Sequence, residues 1–367
     1  MDKIKNNLLE DFDCSAILVG FITGVGILAL PNAVTQDAKQ DGWIAVIVGG
    51  LHPLILALLS IYYVKKHPDE NILILGKKYL GRILGTICNI LFMFNFGIYI
   101  ILVITGLSNV FMVYTSPFLT PIKIFIPTIL LVFYLNHKGI KVLARINNTA
   151  LYFSIILALT LIIALRYGNY LNVLPILGSG YKNILKGSMK SAYAYAGMES
   201  IFLFYPIIKN KNRIKVIVLK ATFISMGIYT WITFICIYYL GYKVTLKALW
   251  PVLLVTEGVN LPVLNSFRLL FLFLWSIVIF KLIANEYYAF TFVLTHVIKV
   301  KDKQMIYYFT FPLIIYICLK VGNEVQRRAL IDKIIPKVTL FNIVYTLIIA
   351  LLIFIKDKLG KTKKNCI

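Results

Sequence analysis

"GVGILALPNAVTQDAKQDGWI", residues 24–44, decides the fold. An apolar run beginning near Ala16 reads as a membrane helix, yet Thr23-Gly24-Val25-Gly26 puts two of the weakest helix formers at its centre. Glycine costs about 1 kcal/mol relative to alanine in a helix interior, and two glycines bracketing one valine favour local unwinding. In a bilayer, unwound backbone is tolerated only where it lines a cavity or is buried in protein. Two readings stay open here: a close helix–helix contact built on small residues, or a break that lines a cavity. The polar eight-residue stretch before Trp43, with its two aspartates, reads as a loop leading into a second apolar run.

The rest of the chain supplies the setting. Hydrophobic residues make up 60% of the 367 positions and charged ones only 14%, which excludes an ordinary soluble domain. A span needs roughly 20 apolar residues. Apolar windows bounded by charges fall at 14–33, 43–64, 83–113, 121–135, 147–166, 184–206, 216–240, 266–296, 305–319 and 338–355. The chain therefore reads as one all-α polytopic membrane domain of about ten transmembrane helices, with a basic tail at 356–367.

The net charge of +23 has a sidedness that nucleic-acid binding does not require. With the N-terminus inside, the inner segments carry 22 Lys and Arg and the outer segments 14, including five in a loop read at 320–337. That is the positive-inside pattern, with both termini cytoplasmic and the lipid bilayer as the partner of the basic residues. The cysteines are scattered without a CxxC, and the histidines lie at span ends or in loops. No metal site, cofactor, nucleophile–base pair or phosphate-binding loop is expected, so the chain does not read as an enzyme. No cleavable signal peptide is expected either.

The sixth span repeats the anomaly of the first. "SAYAYAGMESIFLFYP", residues 191–206, has a small-residue centre ending at Gly197, followed by the intramembrane carboxylate Glu199. A charge at that depth costs on the order of 3 kcal/mol and usually faces an interior site. A proline is expected to close each span, Pro31 in the first and Pro206 in the sixth. Spans one and six hold corresponding places in two halves, 14–166 and 184–355. Paired interrupted helices point to a LeuT-like 5+5 inverted-repeat transporter fold with its site at the midplane.

The break predicts chemistry. N–H groups near Ile27 and Leu28, at the start of the second half-helix, suit a carboxylate ligand, and carbonyls of the preceding half suit an ammonium. An amino acid offers both. Thr23, Gly24, Val25, Gly26, Ile27, Tyr193, Tyr195 and Gly197 are thus candidate ligand contacts, and Asn95 and Tyr99, spaced i,i+4 in the third span, face the same cavity or simply pack. In the eighth span Lys281, Asn285 and Glu286 join Glu199 as coupling or structural charges. Lys281 either pairs with Glu199 or Glu286, or stands in for a coupling cation or contacts ligand. The apolar stretch 241–265 reads as a re-entrant or surface helix over the outer mouth, or as ordinary packing.

These motifs resemble the B subunits of nutrient germinant receptors, the spore-permease branch of the amino acid–polyamine–organocation superfamily. The resemblance spans essentially the whole chain. It rests on "GVGILALP" followed by "QDGW" (40–43), "LPILGSG" (174–180), "GMESIFLFYP" (197–206), "LWP" (249–251) and "LFLW" (272–275). It implies a ten-span protein in the spore inner membrane, working with an A subunit and a lipoprotein C subunit. It further implies a nutrient, commonly an amino acid, held at Gly24 to Ile27, around Tyr193 to Gly197, and by the third and eighth spans. The sequence departs from the family pattern at Asn32, Ser179, Asn265 and Ser266. A sensing subunit, an amino acid permease coupled to protons, and a degenerate scaffold for the A subunit are the functions that fit.

Overall fold

The computed structural model describes residues 8–24, 26–259, 267–298 and 303–364, and its named elements are helices. Val25, Asn265 and Ser266 lie outside the described residues. The first apolar run is divided as its glycines require: α1 (Asp11–Ile22) ends just before the glycine pair and α2 (Gly26–Ala38) starts at its second member. α3 (Gly42–Gly49) and α4 (Leu51–Lys66) follow, then the short α5 (Ile72–Leu80) and the long α6 (Arg82–Tyr114). α7 (Pro121–Lys138) and α8 (Ile140–Thr160) complete the first part. After α9 (Tyr181–Lys190) the chain passes through turns to the single helical turn α10 (Ile201–Phe204). α11 (Ile214–Lys247), α12 (Pro251–Gly258), α13 (Phe267–Ile298), α14 (Lys303–Val321) and α15 (Glu324–Lys364) end the described chain.

Six helical stretches among the described residues are long and apolar enough to cross a membrane, Gly26–Lys66 and Glu324–Leu359 among them. Shorter apolar helices occupy Met198–Ile207 and Met305–Val321. The bundle's outer belt agrees: Ile83 is 77% exposed and Phe309 72%, which suits lipid rather than water. The chain is an integral membrane protein.

Several boundaries differ from the sequence reading. Pro31 does not close its span, because α2 continues to Ala38, and the Thr35 hydroxyl donates back to the Pro31 carbonyl at 2.8 Å. The stretch read as a loop before Trp43 is helical, joined by a short 3₁₀ turn at Lys39–Asp41. Pro206 does end its helix, with Ile208 extended. α5 fills what read as a basic inner loop, capped by the Asn71 side chain on the N–H groups of Leu73 and Ile74. α11 overruns its window and bends at Gly241, whose φ of 72° only glycine adopts readily. The largest departure is at 320–337, where α15 starts at Glu324: a buried ion pair, described below, replaces the expected loop.

Packing places α1 and α2 at the centre, with α9 laid against α2 and α3 and burying only Ile184 and Gly187. α11 lies against α1, α2 and α3, while α13 packs on α6 and α8. On the face carrying the N-terminal segment, Leu9 bridges to Ile208, with Leu9 N–H on the Ile207 carbonyl at 2.9 Å and Lys209 N–H on the Leu9 carbonyl at 3.0 Å. Ion pairs Lys209–Glu10 at 2.6 Å, Arg213–Asp11 at 3.2 Å and Lys211–Asp69 tie this face together. At the distal face Asp41 accepts from the N–H groups of Leu177 and Ser179 at 2.8 Å and from the Ser179 hydroxyl at 2.7 Å. That contact joins the QDGW and LPILGSG motifs, so Ser179 holds a polar partner despite its departure from the family pattern.

A candidate ligand site at two helix breaks

At the first break Thr23 leaves the helix for extended backbone at φ −81° and ψ 121°. Its N–H and hydroxyl both donate to the Val19 carbonyl at 2.8 Å. The Tyr229 hydroxyl donates to the Ile22 carbonyl at 2.7 Å. The Lys281 ammonium donates to Thr23 Oγ1 at 2.9 Å, at the negative end of the α1 dipole. Across the break the Ile27 N–H bonds the Gly24 carbonyl at 3.0 Å, so this N–H is not free as the sequence suggested. A Cβ on Gly24 would run into the Leu282 side chain.

At the second break Gly197 sits in the left-handed region, φ 112°, with room for no side chain: a Cβ there would stand 2.5 Å from the Phe21 carbonyl oxygen. The Gly197 N–H donates to Glu199 Oε2 at 2.9 Å. Glu199 Oε1 accepts from Asn95 Nδ2 and Asn342 Nδ2, each at 3.1 Å, and Asn342 Nδ2 also reaches Asn95 Oδ1 at 3.0 Å. All three side chains are buried. The carboxylate thus fastens the break to α6 and α15 through neutral donors, which lowers the cost of burying it.

The eighth-span charges separate. Among the described residues no ion pair joins Lys281 to Glu199 or Glu286; Lys281 has Thr23 instead. Asn285 exchanges amide hydrogen bonds with Asn147 at 2.8 and 2.9 Å. Glu286 is 2% exposed and its Oε2 has no hydrogen-bond partner. It lines a small central cavity of about 10 Å³ with Phe21, Gly26, Tyr99, Tyr193 and Leu282, space at the threshold for one water.

Of the sequence candidates, Gly26, Tyr99, Tyr193 and Glu286 meet at this cavity. Thr23 with Lys281, and Asn95 with Gly197 and Glu199, brace the breaks beside it. Tyr195 stands apart: its hydroxyl donates to the Val46 carbonyl at 3.0 Å and its ring packs edge-on against Tyr229. Sequence reasoning missed Asn342, Asn147 and Tyr229. A lone asparagine within an apolar span was the available signal for Asn342, and the Asn147-Asn148 pair at the start of its span for Asn147; nothing marks one tyrosine among the chain's 23.

Tyr193 separates the central cavity from the distal face. Its ring stacks on Tyr99, centroids 5.6 Å apart and planes 9° from parallel. Its hydroxyl accepts from Arg327 Nη1 at 3.3 Å. It also lines two larger cavities beyond, of about 90 and 600 Å³. Arg327 is fully buried and forms a two-bonded pair with Glu324 at 2.7 and 2.8 Å. Glu324 also accepts from Asn109 and Arg328, and Arg328 reaches Asn32 Oδ1 at 2.8 Å. Asn32 in turn donates to the carbonyls of Thr245 and Leu246, so this second departure from the family pattern is also fully engaged. Glu324, Arg327 and Arg328 were legible as i,i+3 and i,i+4 partners.

Comparisons with known proteins agree with this architecture. The spore germination protein family of spore permeases matches residues 9–325. The chain is 24% identical to spore germination protein YndE of Bacillus subtilis over 294 residues, 78% of this chain and 80% of the relative. It is 21% identical to spore germination protein GerQB of Bacillus cereus over 260 residues, 71% and 72% of the two chains. Two solved structures share the fold: MhsT in complex with L-phenylalanine, and a mutant manganese transporter of Eremococcus coleocola. The first has a TM-score of 0.62 at 12% identity, covering 94% of this chain and 87% of MhsT. The second has a TM-score of 0.57 at 12% identity, covering 94% and 77%. A transporter-like helical bundle with two breaks meeting at its centre, matched over most of its length by germination proteins, places this chain in the spore germination protein family of spore permeases.

Proposed function

We propose that the chain is the nutrient-binding membrane subunit of a germinant receptor, built as ten spans in two inverted halves of five. It binds an amino acid at the two helix breaks and passes the change to an A subunit and a lipoprotein C subunit in the spore inner membrane, with both its termini cytoplasmic. The observation that carries this reading is the meeting of the two breaks around a closed cavity with Tyr193 as its cover. Gly26 and Gly197 are both held against the opposite broken segment. The amino acid bound in the related fold of MhsT supports the ligand class. Binding shifts the equilibrium between open and closed arrangements only by its difference in affinity for the two, so closure of Tyr193 over the ligand is the signal.

A second reading, an amino acid permease using the same cavity, is favoured by the cavities that lead from the distal face to Tyr193. Deletion of this chain from spores tests the receptor role. Cation release in response to a panel of amino acids is expected to fall for at least one nutrient. An unchanged response to the whole panel overturns the receptor reading.

A further inference from the structure

The geometry points to Glu286 as the residue that selects for a protonated amine, making the central site one for small organic ammonium compounds. This rests on the reading of the breaks as a ligand site and changes where the ammonium goes. Much of the carbonyl end of α1, the natural place for it, is already engaged. The Val19 carbonyl takes both the N–H and hydroxyl of Thr23, the Ile22 carbonyl takes Tyr229, and Lys281 brings its own positive charge to Thr23. A second ammonium there would face like charge. Glu199 is equally engaged, by three donors.

Glu286 differs from both. It is 2% exposed, sits on the wall of the central cavity, and its Oε2 has no partner. The Tyr99 hydroxyl on the same wall is also buried and unpartnered. A buried acceptor left empty is costly, so an arriving donor with positive charge gains more here than at any satisfied carbonyl. The rest of the lining is apolar, the aromatic residues Phe21, Tyr99 and Tyr193 alongside the aliphatic Ile22, Val103, Ala196 and Leu282. Ring faces attract an alkylammonium and offer nothing to replace the water shell of a metal ion. The cavity holds about one water in this arrangement, so entry of any ligand requires Tyr193 to leave its stack on Tyr99.

The test is calorimetric binding to the purified full chain of three matched sets. These are glycine, methylamine and acetate; valine, isobutylamine and isovalerate; phenylalanine, phenethylamine and 3-phenylpropionate. At least one amine-bearing compound is expected to bind, its deaminated partner to bind roughly tenfold or more weakly, and Glu286→Gln to weaken the amine-bearing compounds by a similar factor. Deaminated acids binding as tightly as their parents overturn the inference, and need only the native protein. Amino acids that bind equally to Glu286→Gln also overturn it, while leaving the breaks as a ligand site. Amines that bind when no amino acid does support the inference and remove the amino acid reading. No binding across the panel overturns both.

Discussion

Gly26 and Ala194 touch: a Cβ built on Gly26 would stand 2.7 Å from the Ala194 Cβ. One glycine of the first break thus lies directly against the second, which is why the two interruptions make one site rather than two. Gly26→Val is expected to destabilise the protein by about 1–3 kcal/mol through overpacking. It is also expected to abolish ligand binding, because the added side chain forces the two broken segments apart at Ala194. Thermal unfolding in detergent with parallel calorimetry checks both; a variant with native affinity contradicts the site assignment.

Gly197 and Gly81 both take positive φ, 112° and 82°, in different regions, ψ −22° and 170°. A Cβ on Gly81 meets nothing within 4 Å, whereas on Gly197 it approaches the Phe21 carbonyl. Each alanine substitution carries a backbone cost of about 1–3 kcal/mol. Gly197→Ala is therefore expected to cost clearly more than Gly81→Ala, and alone to impair binding. Melting temperatures of the two variants give the comparison.

Asn342 holds Glu199 from a position 143 residues later. Asn342→Leu removes one donor from a buried carboxylate and is expected to destabilise by about 1–3 kcal/mol. Adding Glu199→Leu should cost less than the two single effects together, since no buried carboxylate then remains to be left short of a donor. A double-mutant cycle by chemical denaturation reads this, and strict additivity would show that the contact carries no energy.

Arg327 is buried between Glu324 and Tyr193. Arg327→Met leaves Glu324 with Arg328 and Asn109 only and is expected to cost about 3–5 kcal/mol. Combining it with Glu324→Gln should recover part of that loss. Because Tyr193 also loses its donor, both forms are expected to open the central cavity faster, read as quicker ligand dissociation by stopped flow.

How much of this was legible follows from what each residue tells its neighbours. Glycine pairs and an intramembrane carboxylate are local, strong departures from a helix-favouring background, so the breaks at Gly24–Gly26 and Gly197 and the burial of Glu199 were readable. Partners were not. Lys281 gives no sign in the sequence that it prefers the Thr23 hydroxyl to a carboxylate, since that choice depends on how α13 is rotated against α1. Tyr195 and Tyr193 share composition and spacing, yet the turn at Ala194–Gly197 sends one toward Val46 and the other toward the cavity. At 320–337 the density of charge suggested a loop in water; the segment from Glu324 is helix, exposed along much of its length, and only Glu324 and Arg327 turn their charges inward as a pair.

The most direct measurement is uptake of a labelled amino acid panel by the purified protein in proteoliposomes, with and without a proton gradient, beside equilibrium binding. The account predicts saturable binding without accumulation, lost in Gly26→Val. Saturable uptake that is lost in Glu199→Gln would make the chain a transporter and contradict it.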